Sequence, residues 1–354
     1  MQEKKLWWHS TFDVVEIEET LFRNKTRIVR TFSDQAGVNC RSTSTPLQRA
    51  ITDFGADLPF GQVNAKLQEH YGIDVPVSSI RTITELHGKA IFEQTELVSD
   101  WPDTAGAPYV IAETDGGMVP VVTIDPDAKD KRKGKTLGWQ ELRLCIAHEF
   151  ESRTLYYGGN FSGGIEETGR QLFDCAVNAK FGKQTQLHSV GDGASWIKRQ
   201  VDEQFGSNGS YLIDLMHLCE YLAEAASSCS DDSKLWLDEQ KQRLKSNQAT
   251  LVLETLLPFL EPPEMSEEKA PVRKAYRYLR NRLDQVDYQG ATEKGLPIGS
   301  GEIESAHRYV VQARLKRPGA WWLPNNIDYM LALRLCRINQ QWKNYWRDLK
   351  QKSA

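Results

Sequence analysis

Apolar residues return along the chain at two different spacings, and the change between them predicts distinct regions. From Pro46 to about residue 100 the spacing is three to four residues, which is typical of amphipathic helices. From about residue 105 to 230, short apolar runs alternate with helical spacing, which predicts strands and helices in turn. Residues 1–45 contain strand-like pieces without a clear period, so the pattern assigns no role to this N-terminal segment.

The helical region at residues 46–100 predicts a helix-turn-helix domain. Its second helix stops at Gly72, and Ser78 or Ser79 can cap the third helix. In a helix-turn-helix, this last helix enters the major groove of DNA. The residues predicted on its exposed side are Ser78, Arg81, Thr82, Glu85 and Lys89. His87 falls on the apolar side, where packing is expected. A plain three-helix packing module has the same pattern, so both interpretations stay open.

The alternating region predicts an α/β fold with a mixed sheet. Strands are predicted at Tyr109–Ala112, at 119–124 and at 141–148, and later strands lead into Asp192 and begin at Tyr211. Three strands joined as hairpins and followed by helix, strand, helix and strand are the element order of an RNase H-like domain. The catalytic domain is predicted at residues 105–230 and 291–354, with a helical insertion at 231–290.

Composition adds limits to this fold. The chain has 354 residues, of which 40% are hydrophobic and 26% charged, as expected for a globular protein with two or three cores. Its longest apolar runs are far shorter than a membrane span, so we expect a cytoplasmic protein, associated with the nucleoid when bound to DNA. The six cysteines form no Cys-x-x-Cys pair, so we expect them reduced and inert and predict no zinc module.

Charge is unevenly distributed. The formal net charge is −4, which is unusual for a DNA-binding protein. From Val311 to the end, however, nine basic residues face two acidic ones, a balance of +7 that leaves −11 for the rest. A second basic segment, 129–135, follows the first strands and could contact a phosphate backbone. A solvated hairpin turn explains that single run equally well.

Three carboxylates provide the candidate chemistry. Asp115 and Asp192 are each followed by glycine after an apolar run, and Glu304 lies on a helix after Gly299-Ser-Gly301. Three acids of this kind can hold two Mg²⁺ or Mn²⁺ ions against a phosphodiester, because these ions prefer oxygen ligands. Each Asp-Gly pair is also a common turn, so the conjunction carries the prediction.

Two glutamates compete for the third position. Ser300 can cap the helix, which places Glu302 in its first turn, where a carboxylate suits the helix dipole without any catalysis. Glu304 lies one turn before His307 or Arg308, on a side that can be pressed against the sheet. We predict Glu304 as the ligand and keep Glu302 as the alternative.

Several segments together resemble bacterial insertion-sequence transposases of the Mutator-like DDE superfamily, over most of the chain. The matching segments are Asp115-Gly116, Trp139-Gln-Glu-Leu-Arg143, Gly191-Asp-Gly-Ala-Ser-Trp-Ile197, Asp214-Leu-Met-His217, Gly299-Ser-Gly-Glu-Ile-Glu-Ser305 and Arg314-Leu-Lys-Arg-Pro-Gly-Ala-Trp-Trp322. The resemblance implies the triad Asp115, Asp192 and Glu304. It also implies supporting or DNA-contacting roles for Asp214, His217, Arg314, Lys316 and Trp322.

The resemblance further implies an activity. Such an enzyme cleaves the ends of an insertion sequence and joins the 3′ ends to target DNA, with two metal ions and at least a homodimer on the DNA. Two other classes stay open: a structure-selective nuclease on the same scaffold, which cuts without joining, and a domesticated DNA-binding protein without catalysis.

Overall fold

The computed structural model describes residues 2–25, 27–36, 42–130 and 133–353. It divides into two compact units. Unit 1 comprises residues 1–96, 118–141 and 308–354, and unit 2 comprises residues 97–117 and 142–307.

The elements follow one another in this order. The first group consists of β1 (Gln2–His9), β2 (Val14–Arg23), β3 (Ile28–Arg30), α1 (Thr31–Gln35), α2 (Thr45–Asp57), α3 (Phe60–Tyr71) and α4 (Val77–Gln94). The sheet region consists of β4 (Tyr109–Ile124), β5 (Lys135–Glu149), β6 (Tyr156–Asn160), α5 (Gly164–Asn178), β7 (Gln186–Gly191), α6 (Ser195–Phe205), β8 (Gly209–Ile213) and α7 (Leu215–Cys229). The remaining elements are α8 (Ser233–Lys245), α9 (Ala249–Leu256), α10 (Pro271–Arg280), α11 (Tyr288–Glu293), α12 (Gly301–Ala306), a π-helical turn (His307–Gln312), α13 (Ala313–Leu315), α14 (Pro324–Ile338) and α15 (Trp342–Ser353).

The N-terminal segment folds as an antiparallel sheet of β1, β2 and β3. Helix α1 packs on one side of it, where the Trp8 and Phe32 rings meet edge to face at 5.2 Å. The buried Glu19 carboxylate accepts hydrogen bonds from the backbone N–H and hydroxyl of Ser33. The strand-like pieces of residues 1–45 therefore contribute to strands. Their irregular spacing of apolar residues gave no indication that these strands form a sheet.

Helices α2, α3 and α4 surround a small apolar core in unit 1. Ser44 caps α2 by accepting from Leu47 N, and α3 ends at Gly72 with a left-handed backbone, as predicted. Helix α4 begins at Val77 after Pro76, so neither Ser78 nor Ser79 caps it. On its other side α4 packs against α14, where Gly88 leaves room for the Tyr329 carbonyl.

Five strands form a mixed sheet flanked by helices. Their spatial order is β6-β5-β4-β7-β8, with β5 and β6 antiparallel and with β4, β7 and β8 parallel. Within unit 2, one apolar core lies between the sheet and α5 and α6, and another contains α7 to α11. Apolar residues of the short β7 and β8 are buried, as expected for central parallel strands.

The strand boundaries differ from the sequence prediction at one important place. The predicted strands on either side of Asp115 are one continuous strand, β4, so Asp115-Gly116 is not a turn. The third hairpin strand is β6, whose Tyr-Tyr-Gly-Gly-Asn sequence has little apolar character. The observed order is also three strands, helix, strand, helix and strand, but its three strands are β4, β5 and the unpredicted β6.

Helices occupy residues 231–290, as predicted for this segment. Among the residues described, none of the helices combines the length and apolar character needed to cross a membrane. Five cysteines (Cys145, Cys175, Cys219, Cys229 and Cys336) are buried and free, whereas Cys40 lies outside the described residues.

Candidate active site

Asp115 and Asp192 lie where the parallel pairing of β4 and β7 ends: Asp115 is within β4, two residues past the last pair, and Asp192 directly follows β7. The last pair of the β4–β7 register joins Glu113 to Val190, and continuing that register by two residues sets Asp115 opposite Asp192. Adjacent strands are about 4.8 Å apart, and directly opposite residues point to the same side of a sheet. The pairing therefore brings together two predicted acids that are 77 positions apart in the sequence.

Tyr211 is an internal marker of this proximity. Burial raises the pKa of its phenol, and the negative charges of both Asp192 and Asp115 act in the same direction. Its hydroxyl oxygen accepts a hydrogen bond from Gly193 N at 2.9 Å. The sequence pattern predicts only a strand at Tyr211, because nothing near it in the sequence indicates a neighbouring carboxylate.

Residues of helix α10 and of the turn after it hold the backbone at Asp192 and Gly193. The Tyr278 hydroxyl donates to the Asp192 carbonyl oxygen at 2.6 Å, and Arg282 Nε donates to the Gly193 carbonyl oxygen at 2.8 Å. Gly193 has φ +82°, and an added Cβ would lie 2.4 Å from the Tyr278 hydroxyl. Only glycine satisfies both the backbone conformation and this close approach. The Asp192-Gly193 turn is thus fixed from outside the sheet, by residues that sequence analysis did not identify.

The Asp192 side chain also shapes its own turn. One of its oxygens accepts from Ala194 N at 2.8 Å, which leaves the other free of that bond. Asp115 keeps 37% of its side chain exposed, and its Oδ2 lies 3.4 Å from His307 Nε2. Both acids are thus reachable from solvent or by a ligand.

Helix α12 and the following residue His307 contact two neighbouring strands, β4 and β5, at three points. Buried Glu113 accepts a hydrogen bond from Ile303 N at 2.8 Å, Glu302 lies 3.0 Å from His148 Nε2, and His307 contacts Asp115. Gly117 permits the last contact, because an added Cβ would lie 2.8 Å from the His307 ring. These contacts place Glu304, one turn before His307, on a helix that is docked beside Asp115.

Burial and neighbouring charges shift the pKa values of Glu113 and His148, the two strand residues that contact α12. Burial raises the pKa of Glu113 to about 8, and the neighbouring charge of Glu302 acts in the same direction. Burial acts to lower the pKa of His148, but the hydrogen bond and charge of Glu302, together with the Glu149 carbonyl and the charge of Glu113, outweigh it and raise that pKa. Glu113 and His148 were missed by sequence analysis, although a glutamate inside an apolar strand is a signal that could have found the first.

Asp214 ties the loop before α12 to the sheet. Its Oδ1 accepts from Met216 N and His217 N, which caps α7, and its Oδ2 accepts from Ser300 N and the Ser300 hydroxyl at 2.6–2.7 Å. The sequence had suggested that Ser300 caps α12. Its side chain does not do so, because its hydroxyl is bound to Asp214. His188 Nε2, 2.8 Å from the Pro297 carbonyl oxygen, anchors the same loop to β7.

His217 lies on the surface of α7 beside the aromatic pair Tyr221 and Tyr278. Its ring is 6.4 Å from that of Tyr278, and its Nδ1 is 3.5 Å from Glu220 Oε2. The Tyr221 and Tyr278 rings stack at 4.1 Å. His217 therefore borders the residue that holds the Asp192 turn.

The three predicted acids do not surround a common point. Glu304 is exposed, and in the described part of the chain no group of three or more His, Cys, Asp or Glu side chains is arranged to hold a metal ion. The pair Asp115 and Asp192 still fits Mg²⁺ or Mn²⁺, because Mg²⁺ is commonly held by one or two carboxylates together with water and substrate phosphates. Partly exposed, neighbouring carboxylates are donors of this kind.

Two residues of unit 1 that were predicted to support the site or to contact DNA, Arg314 and Trp322, are buried. The Arg314 guanidinium lies 4.8 Å from the ring centroids of both Phe60 and Trp322, and its Nε donates to the Gly55 carbonyl oxygen. Trp322 donates its Nε1–H to the Leu315 carbonyl oxygen at 3.0 Å. Burial lowers the pKa of Arg314 to about 10, so it stays charged near neutral pH. Both side chains pack the interior, whereas Lys316 is exposed.

The basic C-terminal segment is partly neutralised within the same unit. Arg334 and Arg337 each lie within 2.7 Å of a carboxylate oxygen of Asp57, and Arg337 is also 3.3 Å from Asp53. These arginines attach α14 to α2 through ion pairs and carbonyl contacts. The balance of +7 thus overstates the charge available to DNA. In the basic segment 129–135, Lys131 and Arg132 lie outside the described residues.

The predicted recognition helix α4 is exposed along part of its length. Ser78, Arg81 and Lys89 are exposed, and Thr82 is half-buried with its hydroxyl donating to the Ser78 carbonyl oxygen. Glu85, predicted on the exposed side, instead accepts from Asn326 Nδ2 of α14 at 2.8 Å. His87 is buried, as predicted, between Gln48 and Tyr345.

Comparison with protein families gives a similarity in the second half of the chain. The profile of an uncharacterised protein family (UPF0236) matches residues 177–351, a range that contains Asp192, Asp214 and Glu304 but not Asp115. None of the curated proteins matches the chain in sequence. The similarity to UPF0236 concerns the second half of the chain and brings no activity with it.

Proposed function

We propose that the chain is a DDE transposase that cleaves the ends of an insertion sequence and joins the freed 3′ ends to target DNA. The observation that carries this proposal is that the β4–β7 register, continued past its last pair, sets Asp115 opposite Asp192 at the carboxyl end of the parallel pairing. Ligand sites of open α/β sheets lie at this edge. The order of three strands, helix, strand, helix and strand supports an RNase H-like interpretation of residues 105–230 and 291–354.

Asp115 and Asp192 are proposed to hold two Mg²⁺ or Mn²⁺ ions, with Glu304 as third ligand. Bound there, these ions supply an activated water and stabilise the leaving 3′ oxygen. The protein residues position the acids: Tyr278 and Arg282 hold the backbone of the Asp192 turn, and Glu113 holds the start of α12. Glu304, exposed on α12 one turn before His307, would supply the third carboxylate to a bound ion.

DNA binding is proposed to involve α2, α3 and α4 as a helix-turn-helix at residues 46–100, with residues 231–290 as an insertion into the catalytic domain. Ser78, Arg81, Thr82 and Lys89 of α4 and the exposed Lys316 are the proposed contacts. Two copies on paired DNA ends are the expected assembly.

A donor-plasmid assay tests the proposal. A marker flanked by the gene's own neighbouring DNA is incubated with the protein and Mg²⁺ or Mn²⁺, beside Glu304→Gln and Glu302→Gln. We expect metal-dependent cleavage and joined products from the wild type and from Glu302→Gln, and neither from Glu304→Gln. Nicks without joining would establish a nuclease instead. A folded, DNA-bound wild type that does not cut would establish a binding protein.

A further inference from the structure

Trp139 and Trp321 form an exposed pair on the outer side of a small sheet in unit 1. Their rings meet edge to face at 6.2 Å, with 53% of Trp139 and 39% of Trp321 exposed. Lys316 Nζ lies 5.9 Å from the centroid of the Trp139 ring. Tryptophans are normally at least half-hidden in a core, so two exposed neighbours beside a cation need a physical reason.

Strand pairing explains why these side chains meet. Asp125 N donates to the Gly134 carbonyl oxygen, which closes the hairpin of β4 and β5, and counting back along it sets Trp139 beside Pro120. On the other side of β4, the bridge between Val121 and Trp322 sets Trp321 next to Pro120. Trp139 and Trp321 therefore share the outer face, while Trp322 points into the interior, where it is 6% exposed.

The outer face combines flat apolar rings with positive charge. Leu137 is 54% and Leu323 43% exposed, and they extend the apolar surface along the strands. The exposed Lys316 and Lys135 carry the positive charges beside it. Aromatic rings with flanking cations match a single-stranded nucleic acid, because unstacked bases lie on the rings and the phosphates lie against the cations. A duplex cannot use the rings in this way, since its base faces are stacked on one another.

We infer that the face formed by Trp139, Trp321 and Lys316 binds unpaired bases of single-stranded DNA. This inference rests on the proposed function, because an enzyme that opens and joins DNA strands handles unpaired bases at the cut ends. The role of Lys316 is contact with the phosphate backbone. Trp322, which the sequence placed in the same motif, supports the face from inside.

The test measures binding of the full chain to fluorescein-labelled oligothymidylate of about twelve nucleotides, within the known site sizes. We expect Trp139→Ala and Trp321→Ala each to weaken binding about tenfold, which corresponds to one stacked base. Trp139→Phe is expected to retain most of the affinity, since phenylalanine also stacks. Lys316→Gln is expected to flatten the salt dependence by about one unit of slope.

Trp7→Ala is the matched control, since Trp7 is a 56% exposed tryptophan of β1 outside this face. Wild-type affinity in both Trp139→Ala and Trp321→Ala, or no binding by the wild type, would overturn the inference. So would a change from dimer to monomer in sedimentation with unchanged oligonucleotide affinity, which would make the face an interface between copies. Duplex cleavage is measured separately. If the wild type cleaves and the tryptophan variants bind the oligonucleotide as well as the wild type does, this inference alone is wrong. If binding depends on the rings but the wild type does not cleave, the proposed function alone is wrong.

Discussion

The edge that carries Asp115 and Asp192 in unit 2 and the segment from Arg314 to Trp322 in unit 1 came from the same set of sequence motifs, but they fold differently. The two acids remain partly exposed where the parallel pairing of β4 and β7 ends, whereas Arg314 and Trp322 are stacked in the interior. The physical cause is the cost of burying a charge. A lone carboxylate is expensive to bury, while a guanidinium can lie between aromatic rings with its Nε bonded to a carbonyl. A motif therefore marks residues that the fold needs, and only exposure separates chemistry from packing.

The largest contrast is expected at the acids. Asp115→Asn removes one charge without changing shape and should lower DNA cleavage at least about a hundredfold, because even residues that only support metal ligands cost 10–100-fold. DNA affinity and thermal stability should stay near wild type. Asp103→Asn is the control, since Asp103 is an exposed aspartate paired with Lys183 elsewhere in unit 2. Equal cleavage by Asp115→Asn and Asp103→Asn would remove Asp115 from the site.

The packing role of Arg314 is tested by the free energy of unfolding. Arg314→Ala should lower the free energy of unfolding by about 3 kcal/mol, because it empties the space between Phe60 and Trp322 and leaves the Gly55 carbonyl without its donor. Lys316→Ala, two residues away and exposed, should change it by less than about 0.5 kcal/mol. Urea denaturation measures both. If Arg314→Ala were as stable as wild type but bound DNA poorly, Arg314 would belong with the functional residues.

Tyr278 packs in the core of unit 2, and its hydroxyl also holds the backbone of the candidate ligand Asp192. Tyr278→Phe keeps the ring but removes the hydroxyl that donates to the Asp192 carbonyl oxygen, so we expect cleavage about tenfold slower with DNA affinity unchanged. Tyr276→Phe on the same helix is the matched control. Single-turnover cleavage rates compare the two variants. Identical rates would show that the Asp192 turn keeps its geometry without this hydrogen bond.

Buried His87 gives the smallest effect. Burial lowers its pKa from 6.5 to about 4, so the unfolded chain binds a proton between these pH values and the folded chain does not. The free energy of unfolding should fall by about 1 kcal/mol between pH 7 and pH 5.5 because of this residue, and the loss should level off near pH 4. Denaturation of wild type and His87→Gln at both pH values isolates the contribution. An equal pH dependence in the two proteins would contradict it.

The periodic parts of the fold could be predicted from local sequence. Helices α2 to α4, the strand before Asp192 and the helices of residues 231–290 follow from spacing, caps and Gly72. The continuity of β4 through Asp115-Gly116 could not, because Asp-Gly favours turns locally and only pairing with neighbouring strands overrides that preference. The weakly apolar β6 was missed for the same reason.

At the candidate site, the sequence by itself determined the identity of the two aspartates, the glycine-flanked helix with Glu302 and Glu304, and the reduced, buried state of the described cysteines. Tertiary structure decided which of these residues meet. The β4–β7 register brings Asp115 to Asp192, the α10 helix supplies Tyr278, and Glu113 with His307 docks α12. Contacts between residues tens to hundreds of positions apart leave no periodic trace in either local segment. The same reason applies to the interior position of Arg314, which depends on packing between Trp322 of the same motif and the distant Phe60.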